Sequence, residues 1–227
     1  MLLLLACTPT PSVEAPVPPT WGTVAWSGDA VDGGFGARLA SDGTRAWIAA
    51  PFACAVYAAE PGHGPAVVFA GEPETFCGAG LGAGVVGVPG QGGAVYVGDV
   101  AVATGQNVGG VVLGDRDRWV ASTATGWLDS GGQARDLGTR PDALALVDDE
   151  VVASSAFGDI ALWTATGSTP RVAEDQRGYA LATCDSDGDG DQELVVGAPG
   201  AGTIDSEGVT VAHGTGRFGA ALACGEP

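Results

Sequence analysis

Residues Gly178-Tyr179-Ala180-Leu181-Ala182 lead into an acidic loop, Asp185-Ser186-Asp187-Gly188-Asp189-Gly190-Asp191-Gln192-Glu193. The chain leaves it through Leu194-Val195-Val196-Gly197-Ala198-Pro199 and continues to Gly208-Val209-Thr210-Val211. Short apolar, β-branched runs separated by Gly, Asp and Pro read as strands joined by tight turns. No helical period of 3.6 is sustained here or elsewhere, so the chain is all-β.

The same unit recurs on both sides. One copy begins Phe35-Gly36-Ala37-Arg38-Leu39-Ala40, turns at Asp42-Gly43, continues Trp47-Ile48-Ala49-Ala50-Pro51 and reaches a third strand around Cys54-Ala55-Val56-Tyr57. A second runs Phe76-Cys77-Gly78-Ala79-Gly80-Leu81, then Val85-Val86-Gly87-Val88-Pro89, then Gly93-Ala94-Val95-Tyr96-Val97. A looser third leads from Gly114-Asp115 to Trp119-Val120-Ala121-Ser122-Thr123. The fourth runs Ala143-Leu144-Ala145-Leu146, turns at Asp148-Asp149, and continues through Val151-Val152-Ala153-Ser154-Ser155 to Ile160-Ala161-Leu162-Trp163. A sixth opens at Phe218-Gly219-Ala220-Ala221-Leu222-Ala223. The period is roughly 32 to 42 residues, enough for three or four short strands. Each unit has an apolar face it cannot bury alone, so neighbours stack, and radial stacking gives a β-propeller.

Composition agrees with many turns: 39 of the 227 residues are Gly. The formal charge is −18, all nine basic residues are Arg, and there is no Lys. That balance argues against nucleic acid, which requires clustered cationic side chains, and favours cations, basic partners or simple solubility, with a solvated acidic surface accounting for most of the charge. No run approaches the ~20 apolar residues of a membrane helix. Leu4-Leu5-Ala6-Cys7 is similar to a bacterial lipobox, with Cys7 the residue that would be lipidated. The apolar run is shorter than the roughly 7–15 residues of a signal core, so either the start lies upstream or the match is chance. Residues 8–19 hold five Pro and read as an extended tether.

The Phe-Gly opening, the acidic or tight turn, and the Gly-Ala-Pro ending together resemble the FG-GAP repeats of integrin α-chain-type β-propellers. The resemblance covers residues 20–227. It implies about five to six short blades, either closed into a ring by the strand Thr23-Val24-Ala25-Trp26 or left incomplete. In the acidic loop, carboxylates at positions 1, 3 and 5 with Gly at 6 give the oxygen-rich turn that suits Ca²⁺. An EF-hand would need an acid at position 12, where Val196 stands, and flanking helices. The FG-GAP resemblance implies side-chain ligands Asp185, Asp187, Asp189 and Glu193, with the backbone carbonyl of Asp191. Glu193 stands where the family usually has Asp.

Four cysteines besides Cys7 allow three pairings. Because neighbouring blades bring equivalent strands together, the expected pairs are Cys54–Cys77 and Cys184–Cys224, each stapling one blade to the next. His63 and His213 have no zinc-type spacing or activated nucleophile beside them and read as surface residues. Ser122-Thr123 and Ser154-Ser155 occupy the repeat ending and read as packing residues. Trp26 or Trp127 would serve as a sugar or peptide contact only if exposed. The expectation is an exported calcium-binding module, secreted or lipid-anchored at the cell surface, that binds an extracellular protein or glycan and is not itself an enzyme. Two alternatives stand beside it. One is an extracellular hydrolase or lyase acting on polysaccharide or phospholipid, or the accessory propeller of one. The other is a fragment of a longer repeat protein.

Overall fold

The structure is a computed structural model that describes residues 34–72, 74–90, 92–155, 160–164, 166–170 and 175–222. The lipobox with Cys7, the Pro-rich tether, the strand Thr23 to Trp26, and Cys224 lie outside the described residues.

Among the described residues twenty strands form five antiparallel sheets of four, each a simple meander in chain order. The first sheet is β1 (Arg38–Ser41), β2 (Ala46–Ala50), β3 (Ala55–Ala59) and β4 (Ala66–Ala70). The second is β5 (Gly80–Gly82), β6 (Val85–Val88), β7 (Ala94–Val97) and β8 (Val100–Thr104). The third is β9 (Val112–Gly114), β10 (Trp119–Ser122), β11 (Gly126–Asp129) and β12 (Ala134–Asp136). The fourth is β13 (Ala143–Val147), β14 (Glu150–Ser154), β15 (Ile160–Thr164) and β16 (Gly167–Pro170). The fifth is β17 (Ala180–Cys184), β18 (Glu193–Ala198), β19 (Thr203–Ser206) and β20 (Val209–His213). This is the topology of β-propeller blades. Among the described residues the sole helix is a three-residue 3-10 turn, Pro51–Ala53, and none is long and apolar enough to cross a membrane.

The chain divides into two compact units, one ending at Arg140 with the first three sheets and one running from Pro141 with the last two. In the first unit, the first strands of successive sheets are neighbours, β1 beside β5 and β5 beside β9. Trp47, Ala49, Val56, Leu81, Val86 and Val88 fill the space between the first and second sheets. Val85, Val95, Val112, Trp119 and Ala121 fill it between the second and third. In the second unit, β13 lies beside β17, and Ala145, Val152, Leu162 and Val196 form the shared core. Second strands are the most buried because they are covered on both faces, which is why they read as unbroken apolar runs and not as alternating ones.

The recurring Phe-Gly and Gly-Ala-Pro elements have a common geometric cause. In four of the five sheets a glycine turns the chain into the first strand and donates its N–H to a carbonyl on the second strand. The bonds are Gly36 to Ala49 at 2.9 Å, Gly78 to Gly87 at 2.8 Å, Gly109 to Ser122 at 3.0 Å and Gly178 to Gly197 at 2.9 Å. Gly78 and Gly178 have φ of 76° and 84°, which a side chain would strain. In the fourth sheet Asp142 N–H makes the equivalent bond to Ser154 at 2.8 Å. The third repeat therefore opens at Val108-Gly109, earlier than Gly114-Asp115, with Val in place of Phe. At Phe218-Gly219 the Ala220 N–H donates to the Arg217 carbonyl at 3.1 Å, the local turn that Ala37 makes to Gly34 and Ala79 to Phe76, each at 3.0 Å.

Candidate metal centre

β17 and β18 pair antiparallel with Cys184 opposite Glu193, so the loop between them starts and ends at adjacent points of one ladder. Asp185 and Glu193 are brought together by strand register, before any side chain chooses a rotamer. The Asp-Gly-Asp-Gly run between them then folds back on its own carboxylates. Asp185 accepts from Gly188 N–H at 2.6 Å and from Gly190 N–H at 3.1 Å. Asp187 accepts from Asp189 N–H at 3.2 Å, and Asp189 accepts from Asp191 N–H at 2.9 Å. Gly188 and Gly190 sit at φ of 84° and 100°, where the loop reverses direction.

Carboxylate oxygens of Asp185, Asp187 and Glu193 lie within 4.8 Å of one another. Asp185 and Glu193 are half-buried, whereas Asp187 is exposed. Asp189 and Asp191 share the loop but stand outside this group of three, and both are exposed. Like charges this close repel by several kcal/mol at an effective dielectric of ~20. Hydrogen bonds from the loop backbone lessen that repulsion, and a hard divalent cation with flexible oxygen ligands would remove it. The donor set is all oxygen, which fits Ca²⁺ and does not fit a thiophilic metal.

Glu193 has a further support. Its Oε2 accepts from the Ser186 N–H at 2.6 Å and from the Ser186 hydroxyl at 2.8 Å. The Ser186 hydroxyl in turn lies 3.1 Å from that of Ser206, at the end of β19. The sequence gives no signal for Ser206, because a serine closing a short strand is ordinary until register places it behind the loop. The neighbouring Asp205 is buried, pairs with Arg177 and accepts from the Thr210 hydroxyl at 2.8 Å.

Cys54 and Cys77 form a disulfide with a Cα–Cα distance of 4.4 Å, joining the start of β3 to the turn that opens the second sheet. The Thr75 hydroxyl lies 3.0 Å from one sulfur and 3.2 Å from the other. Cys184 is disulfide-bonded as well, and its expected partner Cys224 is outside the described residues. His63 and His213 are exposed. Ser122 and Ser154 are buried and bonded to backbone: Ser122 Oγ accepts from Val111 N–H at 2.9 Å, and Ser154 Oγ donates to the Gly178 carbonyl at 2.5 Å. Trp127 is half-buried on β11.

The five meander sheets and the loop that joins two strands of one of them define an all-β, propeller-type repeat protein. Residues 177–220, which carry the fifth sheet and its acidic loop, match the FG-GAP repeat family. No curated protein matches the chain. Among solved structures the chain is similar to BBS1N in complex with ARL6DN, at 16% identity and a TM-score of 0.48, covering 78% of this chain and 68% of that one. It is also similar to virginiamycin B lyase from Staphylococcus aureus, at 12% identity and a TM-score of 0.46, covering 74% and 64%. A catalytically inactive variant of that lyase with quinupristin gives 10% identity and a TM-score of 0.45, covering 78% and 68%.

Proposed function

We propose that the protein is an exported FG-GAP module that takes up one Ca²⁺ in the β17–β18 loop and presents its blades to an extracellular protein or glycan, without catalysis of its own. The observation that carries this reading is the convergence of Asp185, Asp187 and Glu193 within 4.8 Å, inside the segment that matches the FG-GAP repeat. Asp185, Asp187 and Glu193 would hold the ion, with Asp189 and the Asp191 carbonyl closing the loop around it. The role of the ion is structural: it neutralises the loop and fixes the hairpin between two strands of a blade. The disulfide between Cys54 and Cys77 favours an oxidising, extracytoplasmic setting. Anchorage through a lipid on Cys7 accords with the lipobox-like run and the tether that follows it.

Calorimetric titration with Ca²⁺ tests this directly. Wild-type protein is expected to bind one equivalent, and Asp185→Ala with Asp189→Ala to bind none. Undiminished binding by the double variant would remove the ion from this loop.

A further inference from the structure

We propose that Ser206 is a positioning residue of the cation loop, acting through Ser186 on Glu193; this rests on the reading of that loop as a Ca²⁺ site. A hydroxyl carries a single proton. The Ser186 proton is committed to Glu193 Oε2 at 2.8 Å. In the 3.1 Å contact between the two serines, Ser206 must therefore be the donor and Ser186 the acceptor. The result is a directed chain, Ser206 O–H to Ser186 O–H to the Glu193 carboxylate, reinforced by the Ser186 N–H at 2.6 Å. Each link polarises the next, and the chain ends on a charge, so its bonds are stronger than those of a neutral pair.

The placement of Ser206 supports this role. It is 7% exposed, unusual for a serine at a strand end next to a turn. Register sets it opposite Val195, two residues beyond Glu193 on β18, so it stands behind the root of the loop and not in its mouth. The chain also accounts for Glu193. Glutamate has one more rotatable bond than aspartate and loses more side-chain entropy when fixed. A donor chain anchored on β19 fixes the longer arm before any ion arrives. Ser206 itself would touch no cation.

The test uses the full chain and Ca²⁺ alone, read by calorimetric affinity and by the thermal midpoint with Ca²⁺ and with EGTA. Ser206→Ala is expected to weaken Ca²⁺ binding about tenfold, the lower end for loss of a group that orients a metal ligand. Ser206→Thr, which keeps the hydroxyl, is expected to restore most of it. Ser186→Ala should weaken binding as well, and adding Ser206→Ala to it should cost nothing more, because the relay is already cut. A Ser206→Ala protein with unchanged affinity, or with a loss that adds fully to that of Ser186→Ala, overturns the relay while leaving the site intact. A drop in the EGTA midpoint equal to the drop with Ca²⁺ would make Ser206 a packing residue and would overturn the proposal too. A wild-type protein that folds and binds no Ca²⁺ overturns the site and the relay together.

Discussion

At the scale of single residues, the repeat signature is a record of close backbone approach. A Cβ on Gly197 would lie 2.0 Å from the Gly219 carbonyl oxygen, and one on Gly87 would lie 2.0 Å from that of Gly109. The small residue near the end of the second strand in the first, second, fourth and fifth sheets thus receives the glycine turn that opens the next repeat. Where the first of the pair is Ala49, the incoming Gly78 fits only because it has no side chain: its Cβ would sit 2.7 Å from that of Ala49. In the fourth repeat the receiver is Ser154, which uses its hydroxyl to bond the Gly178 carbonyl. The buried Ser154 hydroxyl is thus taken up in joining the fourth repeat to the fifth. Gly197→Ala should therefore destabilise the protein by about 1–3 kcal/mol, as overpacking does in a tight core. Urea denaturation would measure it, with Gly64→Ala, where nothing lies within 4 Å, as the neutral control. Equal stability of the two variants would mean that the turn yields, and that the motif has another cause.

At the scale of elements, hairpin tips and outer edges have different chemistry. The β1–β2 turn is organised by Asp42, whose Oδ1 accepts from Thr44 N–H at 2.9 Å, Thr44 hydroxyl at 2.8 Å and Arg45 N–H at 2.8 Å. What burial there is acts to raise the Asp42 carboxyl, but the Thr44 hydroxyl and N–H and the Arg45 N–H together hold it below the usual range. A depressed carboxyl contributes stability that is present above its unfolded pKa and is lost as pH falls through the folded value. Asp42→Asn should therefore flatten the acid limb of a stability-versus-pH curve below about pH 4, read by urea midpoints at stepped pH. An unchanged slope would place the acid sensitivity elsewhere. The outer strands β4, β8 and β20 expose Val67, Val68, Val100, Val102, Val209 and Val211 at sheet edges. Such edges invite pairing with another chain. In the first, second, fourth and fifth sheets the pairing of the outer strand is interrupted by a register shift. In the third, β12 is short and carries Arg135 and Asp136 instead. Bulges and charges are the two usual ways to blunt an edge. These bulges are not legible in the sequence, because the outer strands are exposed on both faces and carry no in-out alternation for an extra residue to break. Outer strands as a class were hard to read for the same reason that they are exposed: no core constrains their composition. The second strands, the acidic loop and the Phe-Gly turns were legible because each answers to burial, charge or φ.

For the whole molecule, the compact units divide the stabilising devices between them. The Cys54–Cys77 disulfide belongs to the unit ending at Arg140, and the acidic loop to the unit that begins at Pro141. Charge is divided unevenly as well. Fifteen of the 27 acidic side chains but only three of the nine Arg fall in residues 141–227. Self-repulsion is thus concentrated where the acidic loop is, and a bound Ca²⁺ would relieve it most in that unit. A ligand that binds only the native state stabilises it by about 2.7 kcal/mol at a hundredfold excess over its Kd. Removing a disulfide that closes a loop spanning 23 residues costs about 3 kcal/mol. Scanning calorimetry can separate the two effects. If the units unfold independently, Ca²⁺ should raise one endotherm and Cys54→Ala with Cys77→Ala should lower the other. If they unfold as one cooperative body, both changes should move a single endotherm in opposite directions and nearly cancel in the variant with Ca²⁺ added. A Ca²⁺ effect on the endotherm that the disulfide variant shifts, with a second endotherm untouched by either, contradicts both arrangements and would place the ion in the first three sheets.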